Sequence, residues 1–243
     1  MRPIAFVDLE TSGLDPTRHE ILEIGVVRVD GRSLETLGMF DVRVQPKRIE
    51  DADPEALRIN RWTQEAWSDA VPLDVALVRT KPLVEGALLA GHNVSFDRSF
   101  LDAAWRSTGV PAPPMDHHVL DTAALSWPLL VAGLVDSLSL DPVCRHLAIE
   151  CAEPHHALTD ARRSLEVARR LLLETEVVQQ VRSMEADERA IANLIVDRID
   201  AGRKDYGPWR TSDGRDYPGE ALLEVVDALN YCAAELVRMR RPR

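Results

Sequence analysis

The sequence predicts an α/β protein, a five-stranded mixed sheet flanked by helices in its first 176 residues, with a helical hairpin after it. Three observations carry this. Three β-rich runs open the chain, a short apolar strand near residues 86–90 runs directly into an amphipathic helix, and a fifth strand at "HHVLDT" is followed by helical segments alone. A meander followed by alternating strands and helices is the signature of a mixed layer fold.

Taken in order, residues 3–8, 21–29 and about 36–45 read as strands, with Asp30-Gly31 as a hairpin signal between the last two. From "DADPEALRINRWTQEAW" onward the signals change to helix starts and loops. Pro54 and Pro72 suit first-turn positions, where a missing N–H costs nothing. "FDRSFLDAAWRSTG" spaces Phe96, Phe100, Ala103 and Ala104 along one face of a helix that ends near Gly109. Helices follow within about 122–131 and 136–148. "ALTDARRSLEVARRLLL" then aligns Leu158, Ala161, Leu165, Ala168 and Leu172 as one apolar stripe. Beyond residue 176 the pattern gives a helix over 184–201, a Gly-, Pro- and Asp-rich loop, and a second helix over about 218–239. The domain reading is therefore 1–176 plus a helical region at 177–243.

Composition narrows the function. With 243 residues and a 45% hydrophobic fraction, the chain can fill a sizeable core. Lys and Arg total 29 against 40 Asp and Glu, and the net charge of −11 argues against a broad electrostatic grip on duplex nucleic acid. A nucleic-acid substrate stays open, because carboxylates that bind divalent cations carry negative charge that the ions locally reverse. Cys144, Cys151 and Cys232 form no C-x-x-C pair and read as reduced thiols. The chain passes from Met1 into a strand, and no stretch reaches the ~20 apolar residues of a membrane helix, so the expectation is a soluble, cytoplasmic protein with no membrane partner.

The stretch "FVDLETSGLDP" puts Asp8 and Glu10 on alternate positions of an apolar strand, so both point to one face and Leu9 to the other. If the strand ends at Val7, the same two acids are solvated loop residues. "GHNVSFD" places Asp97 at a helix start, where the dipole and free N–H groups tolerate an acid. "HHALTDA" places His155 five residues before Asp160 in the first turn of the last large helix. Strand ends and helix starts can converge on one sheet edge, and four carboxylates in one place require metal. Mg²⁺ and Mn²⁺ prefer hard oxygen ligands. Two such ions roughly 4 Å apart can activate water and stabilise the leaving oxygen of a phosphodiester displacement. A nearby histidine is the natural general base.

D-L-E-T-S-G-L-D-P, G-H-N-x-x-F-D and H-x-A-L-x-D-A, in this order, resemble the three exonuclease motifs of the DEDD superfamily, in the branch that carries the motif histidine. That branch includes the proofreading subunit of the bacterial replicative polymerase, ribonuclease T and oligoribonuclease. "EILEIGVVRVD" and "VLDT" support the resemblance, which covers about residues 1–176. It implies a ribonuclease H-like fold and two-metal 3′→5′ hydrolysis of single-stranded or frayed DNA ends to nucleoside monophosphates. Asp8, Glu10 and Asp160 would hold one Mg²⁺ or Mn²⁺, Asp8 and Asp97 the second, and His155 would be the base. His156 falls at a variable motif position and reads as a surface residue. Thr11, Ser12 and Gly13 would offer backbone N–H groups to the 3′-terminal nucleotide, with Leu14 wedged against its base; a plain turn explains Gly13 and Asp15-Pro16 nearly as well. Asn93 and Trp62 are further substrate-side candidates, Trp62 by stacking on a base, with core packing as its alternative. Asp121 reads as structural. Two rival readings stay open: the same chemistry on short RNA, since the motifs do not fix contacts to a 2′-OH, and a catalytically silent adaptor. The resemblance also makes a polymerase a candidate partner.

In the last region, "EALLEVVDALNYCAAEL" sets Glu220, Glu224, Asp227 and Tyr231 opposite an apolar stripe. The E-x-x-D-x-x-x-Y spacing is similar to half of the metal-binding helix pair of all-α nucleotide pyrophosphohydrolases, but the Glu-Glu helix of that family has no counterpart. A solvated acidic face is the default. Two amphipathic helices alone bury too little apolar surface to stand by themselves, so the hairpin must pack on the first domain, on a partner or on a second copy, and a homodimer through 177–243 is the expectation.

Overall fold

In the computed structural model, whose described residues are 2–150, 155–172 and scattered positions between 185 and 231, the expected strands form one sheet. β1 (Ile4–Thr11), β2 (Ile21–Val29) and β3 (Thr36–Arg43) make the antiparallel meander. β4 (Leu88–Gly91) and β5 (Val119–Asp121) join the other side of β1 as parallel partners, giving the order β3-β2-β1-β4-β5. This is the predicted five-stranded mixed sheet.

Two details of the sheet differ from expectation. β1 does not stop at residue 8: its ladder with β2 continues through Asp8↔Gly25 and Glu10↔Glu23. The solvated-loop reading of the acid pair therefore fails. The β2–β3 connection spans residues 30–35 and is no two-residue hairpin. Asp30 Oδ1 accepts the N–H groups of Arg32 and Ser33 at 2.9 Å each, which organises a longer loop and lets Leu34 reach the core.

Helices α1 (Pro54–Ile59), α2 (Leu73–Val84), α3 (Val94–Thr108), α4 (Thr122–Leu125), α5 (Trp127–Val131), α6 (Leu140–His146) and α7 (Ala157–Leu172) fill the remainder. Pro54 opens α1 behind an Asp53 side-chain cap, whereas Pro72 stands one residue ahead of α2. Gly109 closes α3 in the left-handed region, at φ 71°, as the sequence predicts.

Strand alternation divides the core between two faces. Ala5, Val7 and Leu9, with Ile24 and Val26, pack under Leu77 of α2 and Phe100 and Leu101 of α3. Phe6, Val27 and Val29 face the other way, against Ala161, Leu165 and Ala168 of α7. Each large side chain so buried contributes about 1.5–3 kcal/mol. Asp8 and Glu10 continue the Phe6 row, so they lie on the face covered by α7.

The chain divides into two compact units, Met1–Arg182 and Ser183–Arg243. In the second, residues 186–188, 190, 194, 228, 229 and 231 are helical, and Leu194, Leu229 and Tyr231 are exposed. The remainder of the predicted hairpin, its loop and its dimer contact lie outside the described residues, as do Cys151 and Cys232. Cys144 is a buried free thiol. Among the described residues no helix is long and apolar enough to cross a membrane.

Candidate active site

Three row positions on the α7 face of β1 and β2 build the site from below. Phe6 opposite Val27 is apolar, Asp8 opposite Gly25 leaves a gap, and Glu10 opposite Glu23 brings two acids together. A Cβ on Gly25 would lie 2.2 Å from the Ala157 carbonyl carbon and the Leu158 nitrogen. Only glycine lets the first turn of α7 rest directly on the sheet. That approach brings Asp160, in the first turn, over the acid row. Asp97 arrives from the other direction: α3 starts beyond the end of β4, after Asn93 at φ 65°, and Asp97 Oδ1 accepts the Leu9 N–H at 2.9 Å. The four acids therefore collect around the carboxyl ends of the parallel strands β1 and β4, drawn from segments 150 residues apart in sequence and adjacent in space.

Burial pushes the Asp8 carboxyl well above the usual range, reinforced by the charges of Asp97, Glu10, Asp160 and Glu23. Glu10 is pushed up to about 8, chiefly by burial and then by Asp160 and Glu23. Asp97 is raised by burial even though the Leu9 N–H bond favours its ionised form. Such a cluster holds protons until a cation replaces them. One internal cation is already present: Arg163, 5% exposed, donates to Asp160 Oδ1 at 2.8 Å and to Asp141.

His155 is exposed and has left-handed backbone, φ 61°, with its N–H donated to Asp160 Oδ2 at 3.2 Å. Metal-ligating atoms of Glu10, His155 and Asp160 lie within 4.8 Å of one another. His156 meets a different pair of acids, its Nε2 3.3 Å from Glu23 Oε1 and 3.6 Å from Asp41 Oδ2. It is half-buried where the motif spacing suggests a surface residue, because an inward-facing acid on β2 provides it with a partner.

The substrate-side candidates divide. Thr11 Oγ1 donates to Gly13 O at 2.8 Å, and Ser12 uses both its N–H and its Oγ on the backbone of Glu20 at 2.8 Å. The Ser12 N–H is thus spent inside the loop and does not face a nucleotide. A Cβ on Gly13 would meet the His19 ring at 2.6 Å, so close packing requires glycine there. Leu14 projects into solvent, 79% exposed. Trp62 is half-buried, 6.5 Å from the Trp67 ring, and its buried Nε1 has no hydrogen-bond partner. Asn60 is buried and donates to Thr11 O at 2.9 Å, which fixes the end of β1. Asn93 is exposed, with its N–H on Asp121 Oδ1 at 3.0 Å, and the same oxygen caps α4 through the Ala123 N–H at 2.9 Å. Asp121 is structural, as its strand-end position suggests.

Glu23, Gly25 and Arg163 are the site residues that motif reasoning passes over. The first two carry a signal in "LEIG": a charge and a glycine in phase with inward-facing Val27 on a strand whose other charge, Arg28, falls on the alternate face. Arg163 carries only the i,i+3 spacing to Asp160, since its other partner, Asp141, is distant in sequence.

Residues 5–168 match the exonuclease family RNase_T. By sequence the chain is 30% identical over 161 residues to the PolC-type DNA polymerase III of Thermotoga maritima, covering 66% of this chain and 11% of that one. It is 35% identical over 169 residues to a DNA polymerase III subunit epsilon-like protein of Rhodobacter capsulatus, covering 68% and 23%. The chain thus spans less than a quarter of either relative's length. Among solved structures, exonuclease I of Methylocaldum szegediense superposes with a TM-score of 0.58 at 23% identity, over 74% of this chain and 43% of that one. E. coli exonuclease I in complex with a dT13 oligonucleotide gives 0.62 at 19%, over 79% and 46%. At these identities the likeness is one of fold, and the fold is the ribonuclease H-like one.

Proposed function

The chain belongs to the RNase_T exonuclease family of the DEDD superfamily, and on that premise we propose that it is a metal-dependent 3′→5′ exonuclease that releases nucleoside monophosphates from single-stranded or frayed DNA ends. The observation that carries this is the meeting of Asp8, Glu10, Asp97 and Asp160 beside His155, with burial and mutual repulsion holding three of the carboxyls above their usual range.

The donor set fits divalent cations. It is all carboxylate oxygen, hard and crowded, which suits Mg²⁺ or Mn²⁺ better than softer metals. Asp8, Glu10 and Asp160 would hold one ion, and Asp8 with Asp97 the second. When bound, the pair supplies the positive charge and Lewis acidity that activate water and offset the charge of the leaving oxygen. His155 accepts the proton of the attacking water on an unprotonated ring nitrogen, and its exposure lets it pass that proton to solvent. Arg163 holds Asp160 in place from behind. Leu14, at the tip of its loop, would wedge against the terminal base, with the Thr11 and Gly13 backbone beside the nucleotide. Asn93 and Trp62 complete the substrate side.

The net charge of −11 favours short single strands over long duplex. The polymerase relatives support a polymerase as partner, and the helical region 177–243 is proposed to form a homodimer. The test is hydrolysis of 5′-labelled single-stranded DNA, frayed duplex and short RNA with Mg²⁺, Mn²⁺ or chelator. A ladder shortening from the 3′ end, abolished by chelator, is expected. Internal cleavage or metal-independent activity overturns the reading, and strong preference for the short RNA moves the substrate assignment to exoribonuclease.

A further inference from the structure

We propose that His156, anchored by Glu23 and Asp41, is a positioning residue that aims the neighbouring His155 at the acid cluster; the consequence for catalysis rests on the function proposed above.

Glu23 is 3% exposed on the α7 face of β2, directly opposite Glu10. A buried carboxylate is retained in such a place only where it is paired. Its two oxygens are aimed at one short stretch of chain. Oε2 accepts the Ala157 N–H at 3.3 Å, one of the donors that the first turn of α7 leaves unbonded. Oε1 faces His156 Nε2 at 3.3 Å, and Asp41 Oδ2 on β3 stands 3.6 Å from the same nitrogen. Two adjacent residues, 156 and 157, therefore meet one side chain of the sheet, 157 through a hydrogen bond and 156 through a charge contact without one. The missing side chain of Gly25 permits the approach.

His155 needs such a hold. Its left-handed backbone, φ 61°, is an unfavoured conformation for a residue with a Cβ, so surrounding contacts must maintain it. Its own described contact is the N–H bond to Asp160 Oδ2, and its ring is exposed. With His156 lying over β2 and β3 against Glu23 and Asp41, the consecutive ring of His155 reaches Glu10 and Asp160, one strand further across the same sheet face. Releasing His156 frees the peptide on which the His155 ring is mounted. A displacement of about 1 Å at a catalytic group is enough to cost up to 10²-fold in rate.

The full chain labelled with ¹⁵N at histidine rings gives the readout, with His155→Gln identifying the His155 signals. Melting curves establish that each variant is folded. His156→Ala is expected to shift or broaden the His155 ring signals and to lower kcat about tenfold or more, while KM for a short single strand changes by less than about twofold. His156→Gln keeps a side-chain N–H at similar reach to Glu23 and is expected to restore both the signals and most of the rate. Glu23→Gln, which still accepts the Ala157 N–H, should fall between them. Unmoved His155 signals in a folded His156→Ala protein overturn the proposal, as does a folded His156→Gln protein no better than the alanine variant. If the alanine variant does not fold, Glu23→Gln against parent decides by the same signals. Should the parent lack exonuclease activity, the functional reading falls, and the ring signals still decide whether His156 positions His155.

Discussion

Asp8, Glu10 and Asp97 are ionised in solution only against the resistance of their surroundings, and two measurable consequences follow at the scale of single residues. Replacing Asp8, Glu10, Asp97 or Asp160 by alanine is expected to lower metal-dependent hydrolysis by several orders of magnitude. In metal-free buffer the Asp8→Ala and Glu10→Ala proteins should melt at or above the parent temperature, because each loses a buried, repelled charge. A variant that keeps more than about a tenth of parental turnover at saturating Mg²⁺ removes that residue from the metal set. His155→Ala should cost about 10²–10⁴-fold. The second consequence is pH dependence. Burial and the neighbouring acids push Glu10 from its ordinary 4.5 up to about 8, so between those values the folded state binds more protons than the unfolded one. Stability contributed by its protonated form is complete below the lower value and is lost as pH rises through the upper one. The metal-free melting temperature is expected to fall between about pH 5 and pH 8, with a flatter profile for Glu10→Gln. Added Mg²⁺ should raise the melting temperature most at the alkaline end, where it no longer competes with protons.

At the scale of elements, the decisive contact is between β2 and the start of α7. Gly25→Ala would place a methyl 2.2 Å from two backbone atoms that no rotamer change can move. The helix must lift, at a cost of about 1–3 kcal/mol or more. Asp160 and His155 travel with it, so a lower urea midpoint and a loss of turnover should appear together. A Gly25→Ala protein with parental stability and rate would show that α7 does not need this approach. The same element explains why Glu23 lies in a buried strand at all: it caps the α7 backbone and holds His156.

For the whole molecule, the open matter is the region after α7. The amphipathic pattern of residues 184–201 and 218–239 predicts two helices with apolar stripes to cover. Light scattering on the full chain and on a chain ending near Glu176 tests the proposed homodimer. The full chain should scatter as twice its 27.1 kDa mass, and the shortened chain as a monomer that keeps its exonuclease activity. A monomeric full chain removes the dimer. Deoxynucleoside triphosphate hydrolysis that disappears with the truncation would instead give the acidic face of Glu220, Glu224 and Asp227 a catalytic role.

Strand and helix periodicity, and the turn chemistry between them, are local properties, so the sequence by itself determined the five strands, the helix closed by Gly109 and the alternation that puts Asp8 and Glu10 on one face. The motif spacings likewise singled out Asp97, Asp160 and His155 as candidates, and the fold brings them to Asp8 and Glu10. The length of β1 was not local: the strand continues through its acids because β2 supplies Gly25 and Glu23 opposite them. The direction of His156, the ion pair of Arg163 with Asp141 and the internal use of the Ser12 N–H were equally hidden. Each depends on a partner that only the packing of α7 and the loops onto the sheet brings within reach. Sequence patterns encode which face a residue occupies, whereas the charges and donors waiting on that face are set by segments far along the chain. Tertiary structure decided those, because a buried charge or N–H is stable only where folding delivers its counterpart.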